Sequence, residues 1–209
     1  MKNKILIICD DIYHHEEVLK NGLSFLSDKY ELEFTNVPCG QFENYSAVIL
    51  AKDDVVSKDN KENWLTADIE KQIENYVNNG GGIIFLHAGT VICKKSAILK
   101  SIAGCAFITH PEQCEINFLI TSKNPQTEGA ENFCIKDEHY FIDFTADDAE
   151  IFLESHSAEG KQPAGYTRMQ KKGRVCVLTP GHNPEVFDDP QYQKIIQNAL
   201  DFCAATSPK

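Results

Sequence analysis

Four short apolar runs constrain this chain more than any other feature: KILIIC from Lys4, SAVILA from Ser46, GIIFL from Gly82 and RVCVLT from Arg174. Runs of this kind without polar alternation suit strands covered on both faces, as in a parallel sheet flanked by helices. Three histidines stand just past three of the runs: His14 beyond Cys9, His87 beyond Leu86 and His182 beyond Thr179. Ligands of open parallel sheets bind outside the carboxyl ends of the strands. If the first, fourth and final strands are neighbours, their ends carry the three imidazoles to one crevice.

The segments between the runs read as helices and turns. A helix is expected from about Glu16 to Leu26, and YELEFTNV alternates like a strand. In TADIEKQIENYVNNG, Ile69, Ile73, Tyr76 and Val77 share one helical face, with Thr66 as N-cap and Gly80 just past the end. The glycines at 80–82 precede a strand, whereas a phosphate cradle lies between strand and helix, so they are not a phosphate loop. From about Cys105 to Gly160 the pattern is irregular, and CEINFLIT, FCIK and AEIFLES suggest an antiparallel extension. QPAGYTRM and RVCVLT flank a turn at Lys171, Lys172 and Gly173, a hairpin signal. The last helix starts at Asp189 and Pro190, with Tyr192, Ile195, Ile196, Ala199, Leu200 and Cys203 on its apolar face. Without repeats or linkers, residues 1–209 are expected to form one domain of α/β class.

Charge narrows the partners. A formal net charge of −11 opposes a phosphate-tracking surface, which excludes nucleic acid as an expected partner. The first apolar stretch ends at Asp10 and Asp11, too early for a signal-peptide core or a membrane span, so a cytoplasmic protein with no membrane partner is expected. The eight cysteines include no CxxC pair and read as reduced, mostly buried thiols.

The chemistry-bearing candidates gather around the histidines. His87 follows its strand where amidotransferases and α/β hydrolases place a nucleophile. An imidazole there cannot serve as thiolate or alkoxide, which excludes glutaminase chemistry and leaves general base, hydrogen-bond donor or metal ligand. His182 lies in the polar loop PGHNPEVFDDP, and His14 beside His15, one of which should face solvent. His87 also reads as a histidine bonded to a backbone carbonyl, and His14 as an ordinary helix-start residue. His110 precedes Pro111 in the irregular region, while His139 and His156 have less claim. Asp137 and Glu138 are adjacent on a strand and point to opposite faces, so at most one enters a given site. His14, His87 and His182 with a carboxylate make a plausible set for a divalent metal, Zn²⁺ or Mn²⁺, although no HExxH or fixed ligand spacing is present. Asp10, at the end of the first strand, is a candidate substrate contact, and Arg168 could bind a hydroxyl or carboxylate.

The ordered combination GGGIIFLHAGT, then Gly104, Phe107, His110 and Pro111, then NPQTEG leading to FCIKDEHY, and finally KKGRVCVLTPGH before FDDPQYQKIIQNALDF resembles the trehalose-utilisation (ThuA-like) family. The resemblance runs from Gly80 to Phe202. It implies a flavodoxin-like three-layer fold with a mostly parallel central sheet, similar to class I glutamine amidotransferases without their catalytic cysteine. It also implies a role in disaccharide or oxidised-sugar breakdown. By the same resemblance the LHAG histidine is His87, the FxxHP histidine is His110, the DExY element is Asp137, Glu138 and Tyr140, and the closing GRV and GH match Arg174 and His182. The chain departs from the family at Asn124, where a second histidine-proline is usual. It departs again at Pro163–Arg168, where a PxxW motif is usual, leaving Tyr166 to supply any sugar-stacking platform.

Together these readings favour an enzyme of sugar catabolism, a hydrolase or an isomerase or lyase. It would take a small-molecule carbohydrate, with His87, His182, His110 and Glu138 as catalytic candidates and Asp10, Tyr140, Tyr166 and Arg168 as substrate contacts. An imidazole with pKa near 6.5 both accepts and donates protons at neutral pH. The competing readings are a non-catalytic metabolite-binding module and a degenerate amidotransferase partner docked on a synthetase. A homo-oligomer is compatible with all three.

Overall fold

The computed structural model describes residues 2–205. The apolar runs become β1 (Asn3–Ile8), β3 (Ala47–Leu50), β4 (Gly82–Leu86) and β11 (Gly173–Leu178), and the alternating segment becomes β2 (Tyr30–Thr35). These five strands lie parallel in the order β2-β1-β3-β4-β11. The arrangement matches the flavodoxin-like order of a doubly wound sheet. β1 and β4 are not neighbours, because β3 lies between them; β4 and β11 are, with Leu86 opposite Leu178.

Helices cover both faces because each strand alternates its side chains. Ile5 and Ile7 enter a core with the final helix α5 (Pro190–Ala204), whereas Leu6 and Ile8 pack with Ile73 and Val77 of α2 (Ala67–Asn78) and Leu99 of α3 (Ala97–Ala103). Thr66 caps α2 by accepting from the Ile69 amide, and Asp189 caps α5 by accepting from Gln191 and Tyr192. The expected first helix divides into α1 (Glu16–Gly22) and a 3₁₀ turn over Ser24–Asp28. A short α4 (Pro184–Asp188), not foreseen in the sequence, precedes α5.

The irregular middle is an antiparallel extension, as expected. β10 (Gly160–Gln170), β9 (Glu150–Ser157), β6 (Cys114–Ile120) and β7 (Phe133–Asp137) follow β11 across the sheet in that order. β5 (Cys105–Thr109) and β8 (Phe141–Phe144) pair separately as a two-stranded sheet that the sequence reading lacked. The extension curls. Phe118, Phe133 and Phe152 share a core with Phe187 and Tyr192 beneath the parallel half, and Asp137 at the outer edge of the sheet bonds to the loop after β11. Among the described residues the cysteines are free, with Cys9, Cys93, Cys105, Cys176 and Cys203 buried, and no helix is long and apolar enough to cross a membrane.

Candidate functional site

His87 begins the 3₁₀ turn that ends β4, and it does so at φ +43°, a left-handed conformation that costs a non-glycine residue energy. The turn packs on the end of β3 so tightly that a Cβ on Gly89 would lie 1.9 Å from the Leu50 carbonyl oxygen. The His87 side chain is buried, with Nδ1 2.7 Å from the Thr179 carbonyl oxygen just past β11. A carbonyl only accepts, so Nδ1 carries the proton and Nε2 holds a lone pair. That Nε2 is buried and has no hydrogen-bond partner. Burial pushes the His87 pKa down, against the raising effect of Glu138.

His14 is set by Asp11, the residue at the start of the turn. One Asp11 oxygen accepts from the amides of Tyr13 and His14, and His14 Nδ1 lies 2.9 and 3.1 Å from the two carboxylate oxygens. The second oxygen accepts from the Asp53 amide at 3.0 Å, tying the loops after β1 and β3 together. The β3 loop is itself pinned where Trp64 Nε1 donates to the Asp53 carbonyl at 2.7 Å. Burial alone would raise the Asp11 pKa, but the hydrogen bond and charge of His14 and the amides of Asp53 and Tyr13 bring it down to about 2. With Nδ1 engaged, His14 Nε2 is left buried and without a partner.

His182 is held through its backbone. Asp137, fully buried, accepts from the amides of Gly181, His182 and Asn183 at 2.8, 3.1 and 3.2 Å. Gly181 makes this loop possible at φ +149°, where a Cβ would come within 3.1 Å of the His87 Cβ. The residue after Asp137, Glu138, stands just past the end of β7 and reaches the imidazoles with its side chain. Its Oε2 lies 3.4 Å from His87 Nε2 and 3.2 Å from His182 Nδ1, and its Oε1 lies 3.6 Å from His110 Nε2. Burial opposes ionisation of Glu138, yet the nearby imidazoles of His182 and His87 hold its carboxyl well below the usual range, and Glu138 in turn raises His182.

The three imidazoles form a near-regular triangle, with ring centroids 5.0, 5.1 and 5.7 Å apart. One ligand atom from each of His14, His87, Glu138 and His182 lies within 4.8 Å of every other. Ligands about 2.0–2.1 Å from a tetrahedral zinc stand roughly 3.4 Å apart, so a small contraction would close this set around a cation. The unpartnered nitrogens are the fit test. His14 Nε2, His87 Nε2 and His182 Nδ1 are all buried without a hydrogen bond, close to Glu138 but not aligned on it. The Nδ1–H groups of His14 and His87 are fixed by a carboxylate and a carbonyl, the outer-shell arrangement usual for metal-bound histidines.

Tyr140 stacks on His87 at 4.0 Å, with Phe107 at 4.4 Å and His110 at 5.8 Å from its ring. His110 is exposed at the rim, and its Nδ1 lies 2.8 Å from the Pro111 carbonyl oxygen. His15 faces solvent, and His156 pairs with Glu154 on β9.

Two expected substrate contacts are corrected by the fold. Tyr166 is fully buried, its hydroxyl donating to the Ala103 carbonyl at 2.8 Å, so it offers no stacking surface. Arg168 binds Asp148 and the carbonyls of Ser101 and Ile102 at the end of α3, away from the imidazoles. Asp10 makes the turn at φ +78°, and Asp11 is the carboxylate that reaches His14. Asn124 caps a 3₁₀ turn and bonds Glu150 off the end of β6 opposite to Cys114, the residue that pairs with Asp137. The residue missed in the sequence is Asp11. Its carboxylate accepts the Tyr13 amide two residues on, an Asx turn, and an aspartate so placed just after a strand could have flagged it.

The ThuA family model, described as trehalose utilisation, matches residues 4–203. No curated protein matches the sequence. Among similar solved structures, a protein described as ThuA-like from Parabacteroides merdae is 18% identical, with TM-score 0.82 over 100% of this chain and 93% of that one. A second ThuA-like protein, from Bacteroides uniformis, is 18% identical with TM-score 0.72 over 96% and 91%. A protein described as a GMP synthase subunit, from Thermoplasma acidophilum, is 14% identical, with TM-score 0.64 over 98% and 95%. At these identities the likeness is one of fold.

Proposed function

This chain belongs to the ThuA trehalose-utilisation family, and from that premise we propose that it is an enzyme acting on a sugar or keto-sugar at a divalent-cation centre. The observation that carries the reading is the set of three buried, unpartnered imidazole nitrogens converging with Glu138. Leaving buried polar nitrogens unpaired costs about 1–3 kcal/mol each, a cost that a bound cation would remove. His14 and His87 would hold the ion through Nε2 and His182 through Nδ1, with Glu138 as the carboxylate partner. When bound, Zn²⁺ or Mn²⁺ supplies a Lewis acid that polarises a carbonyl oxygen or acidifies water.

The protein's own groups then divide the work. Asp11 and the Thr179 carbonyl fix the imidazole orientations. Phe107, partly exposed and backed by the buried Tyr140 ring, gives the ring face of a sugar an apolar wall in place of the platform expected at Tyr166. His110, with Nδ1–H turned to Pro111, keeps its Nε2 lone pair at the rim beside Glu138, suited to taking a proton next to a carbonyl. Hydrolysis, isomerisation and elimination of a keto-sugar all need such a transfer. On this reading an imidazole stands where a nucleophilic cysteine would sit, so the chain is expected not to hydrolyse glutamine.

The test is metal content together with turnover. Purified protein should hold or take up one equivalent of Zn²⁺ or Mn²⁺ and turn over 3-keto-disaccharides or trehalose-like sugars, and His87→Ala should lose both while remaining folded. Saturable sugar binding without turnover would instead make the chain a metabolite-binding module.

A further inference from the structure

Between Glu138 and Tyr140, which face the cluster, His139 turns away from it and is buried against β9. Its Nδ1 lies 2.7 Å from Ser157 Oγ and its Nε2 2.9 Å from Ser155 Oγ. The neighbours settle the direction of every proton. Ser155 Oγ donates to the Gln162 carbonyl on β10 at 3.3 Å, so it accepts from His139 Nε2–H. Ser157 Oγ accepts the Glu159 amide at 3.1 Å and is free to donate to Nδ1. The result is an unbroken donor-to-acceptor chain through a neutral imidazole, with Phe141 packed on the ring at 5.0 Å. The segment thus alternates anchor and site residue: Asp137 grips the His182 loop, Glu138 faces the imidazoles, His139 grips β9, and Tyr140 stacks on His87.

We propose that His139 is a positioning residue of this site, a rigid clamp on β9 that fixes where Glu138 and Tyr140 stand against the imidazole triangle. Glu138 lies in a three-residue connection between β7 and β8, with no strand pairing of its own. A carboxylate on so short a connection keeps a set position only if the backbone on both sides is held, and His139 supplies the hold that Asp137 supplies on the other side. The clamp deepens the cation-centre reading, and its test separates the two.

The experiment uses the full chain as wild type, His139→Phe, His139→Gln and the double variant Ser155→Ala/Ser157→Ala. Zn²⁺ affinity is measured by competition with a chromophoric chelator, and backbone amide exchange is followed at residues 138–140. His139→Phe fills the space without bonding the serines and should weaken Zn²⁺ binding about 10-fold, the low end of the loss for an outer-shell partner, because His139 acts on Glu138 through the backbone. His139→Gln, whose carboxamide reaches Ser155, should recover most of that loss. Equal affinity in wild type and His139→Phe overturns the proposal, as does a glutamine variant no better than phenylalanine. If His139→Phe does not fold, the double serine variant carries the same test, since it releases the imidazole without removing it. If the wild type takes up no Zn²⁺, the cation reading falls. The clamp is then decided by exchange: acceleration confined to residues 138–140 in the serine variant upholds it, and unchanged exchange overturns it.

Discussion

The two halves of the sheet contribute different chemistry. The parallel half, β2-β1-β3-β4-β11, delivers the imidazoles of His14, His87 and His182, with Asp11 tying the loop after β1 to that after β3 and the Thr179 carbonyl tying His87 to the end of β11. The antiparallel half delivers the carboxylates Asp137 and Glu138 from β7, its outermost strand, and the connection that follows it. Neither half holds a complete set. A doubly wound sheet offers one end at which to gather side chains, and the extension adds an acid from a second direction by curling back to the loop after β11. The seam between the halves is therefore where the site is most easily broken.

The largest effect is expected at that seam. Asp137→Ala strands the buried Gly181 amide and the part-buried amides of His182 and Asn183; it should cost about 3–5 kcal/mol in urea denaturation and loosen the His182 loop enough to weaken Zn²⁺ uptake. A loss below about 1 kcal/mol would mean that the halves hold together without it.

Asp11→Asn sharpens the comparison within the parallel half. The folded-state pKa is depressed from 3.8 to about 2, so ionised Asp11 stabilises the fold above its unfolded pKa. That contribution, about 2 kcal/mol, is lost as pH falls from the unfolded value through the folded one. Wild type should exceed the variant by this amount at pH 7 in denaturant titrations, and the gap should narrow between about pH 4 and pH 2. A gap independent of pH would assign the effect to packing.

Tyr166→Phe tests what the extension does apart from the site. It removes one buried hydrogen bond to Ala103 and should cost about 1–2 kcal/mol with Zn²⁺ affinity and turnover unchanged. A selective loss of sugar affinity would restore Tyr166 as a substrate contact. The smallest effect is expected for Asn124→His, which restores the family's usual residue at a position remote from the imidazoles. Metal affinity should not move, and a gain would show that the far end of β6 communicates with the site.

The sequence carried the parallel half well, because a strand buried on both faces has no alternative to a continuous apolar run, and capped amphipathic helices such as α2 and α5 announce their ends. Strand order was less visible. Nothing in the periodicity of KILIIC or GIIFL says that SAVILA inserts between them. The site divides along the same line: His14, His87 and His182 are marked by their places after strands, whereas Glu138, read in the sequence as part of a strand, stands in the connection just past β7. Tyr166 is named from the family's PxxW position and Arg168 from its charge, and neither signal says that their face of β10 is sealed by α3, a helix with no counterpart in the sequence reading. Asp11 was passed over because its role is to orient a neighbour, which leaves only an aspartate just after a strand as its trace.

The curled seam also bears on how the molecule folds. His14 precedes the first helix, His182 follows the last strand, and Glu138 comes from the far edge of the extension, so no contiguous fragment short of nearly the whole chain contains the full set. Contacts of such long sequence separation form late, after the loop-closure entropy has been overcome. On the cation-centre reading, tight Zn²⁺ capture during refolding would then begin only when the extension swings back onto the parallel half, making the ion a timer for the last topological step.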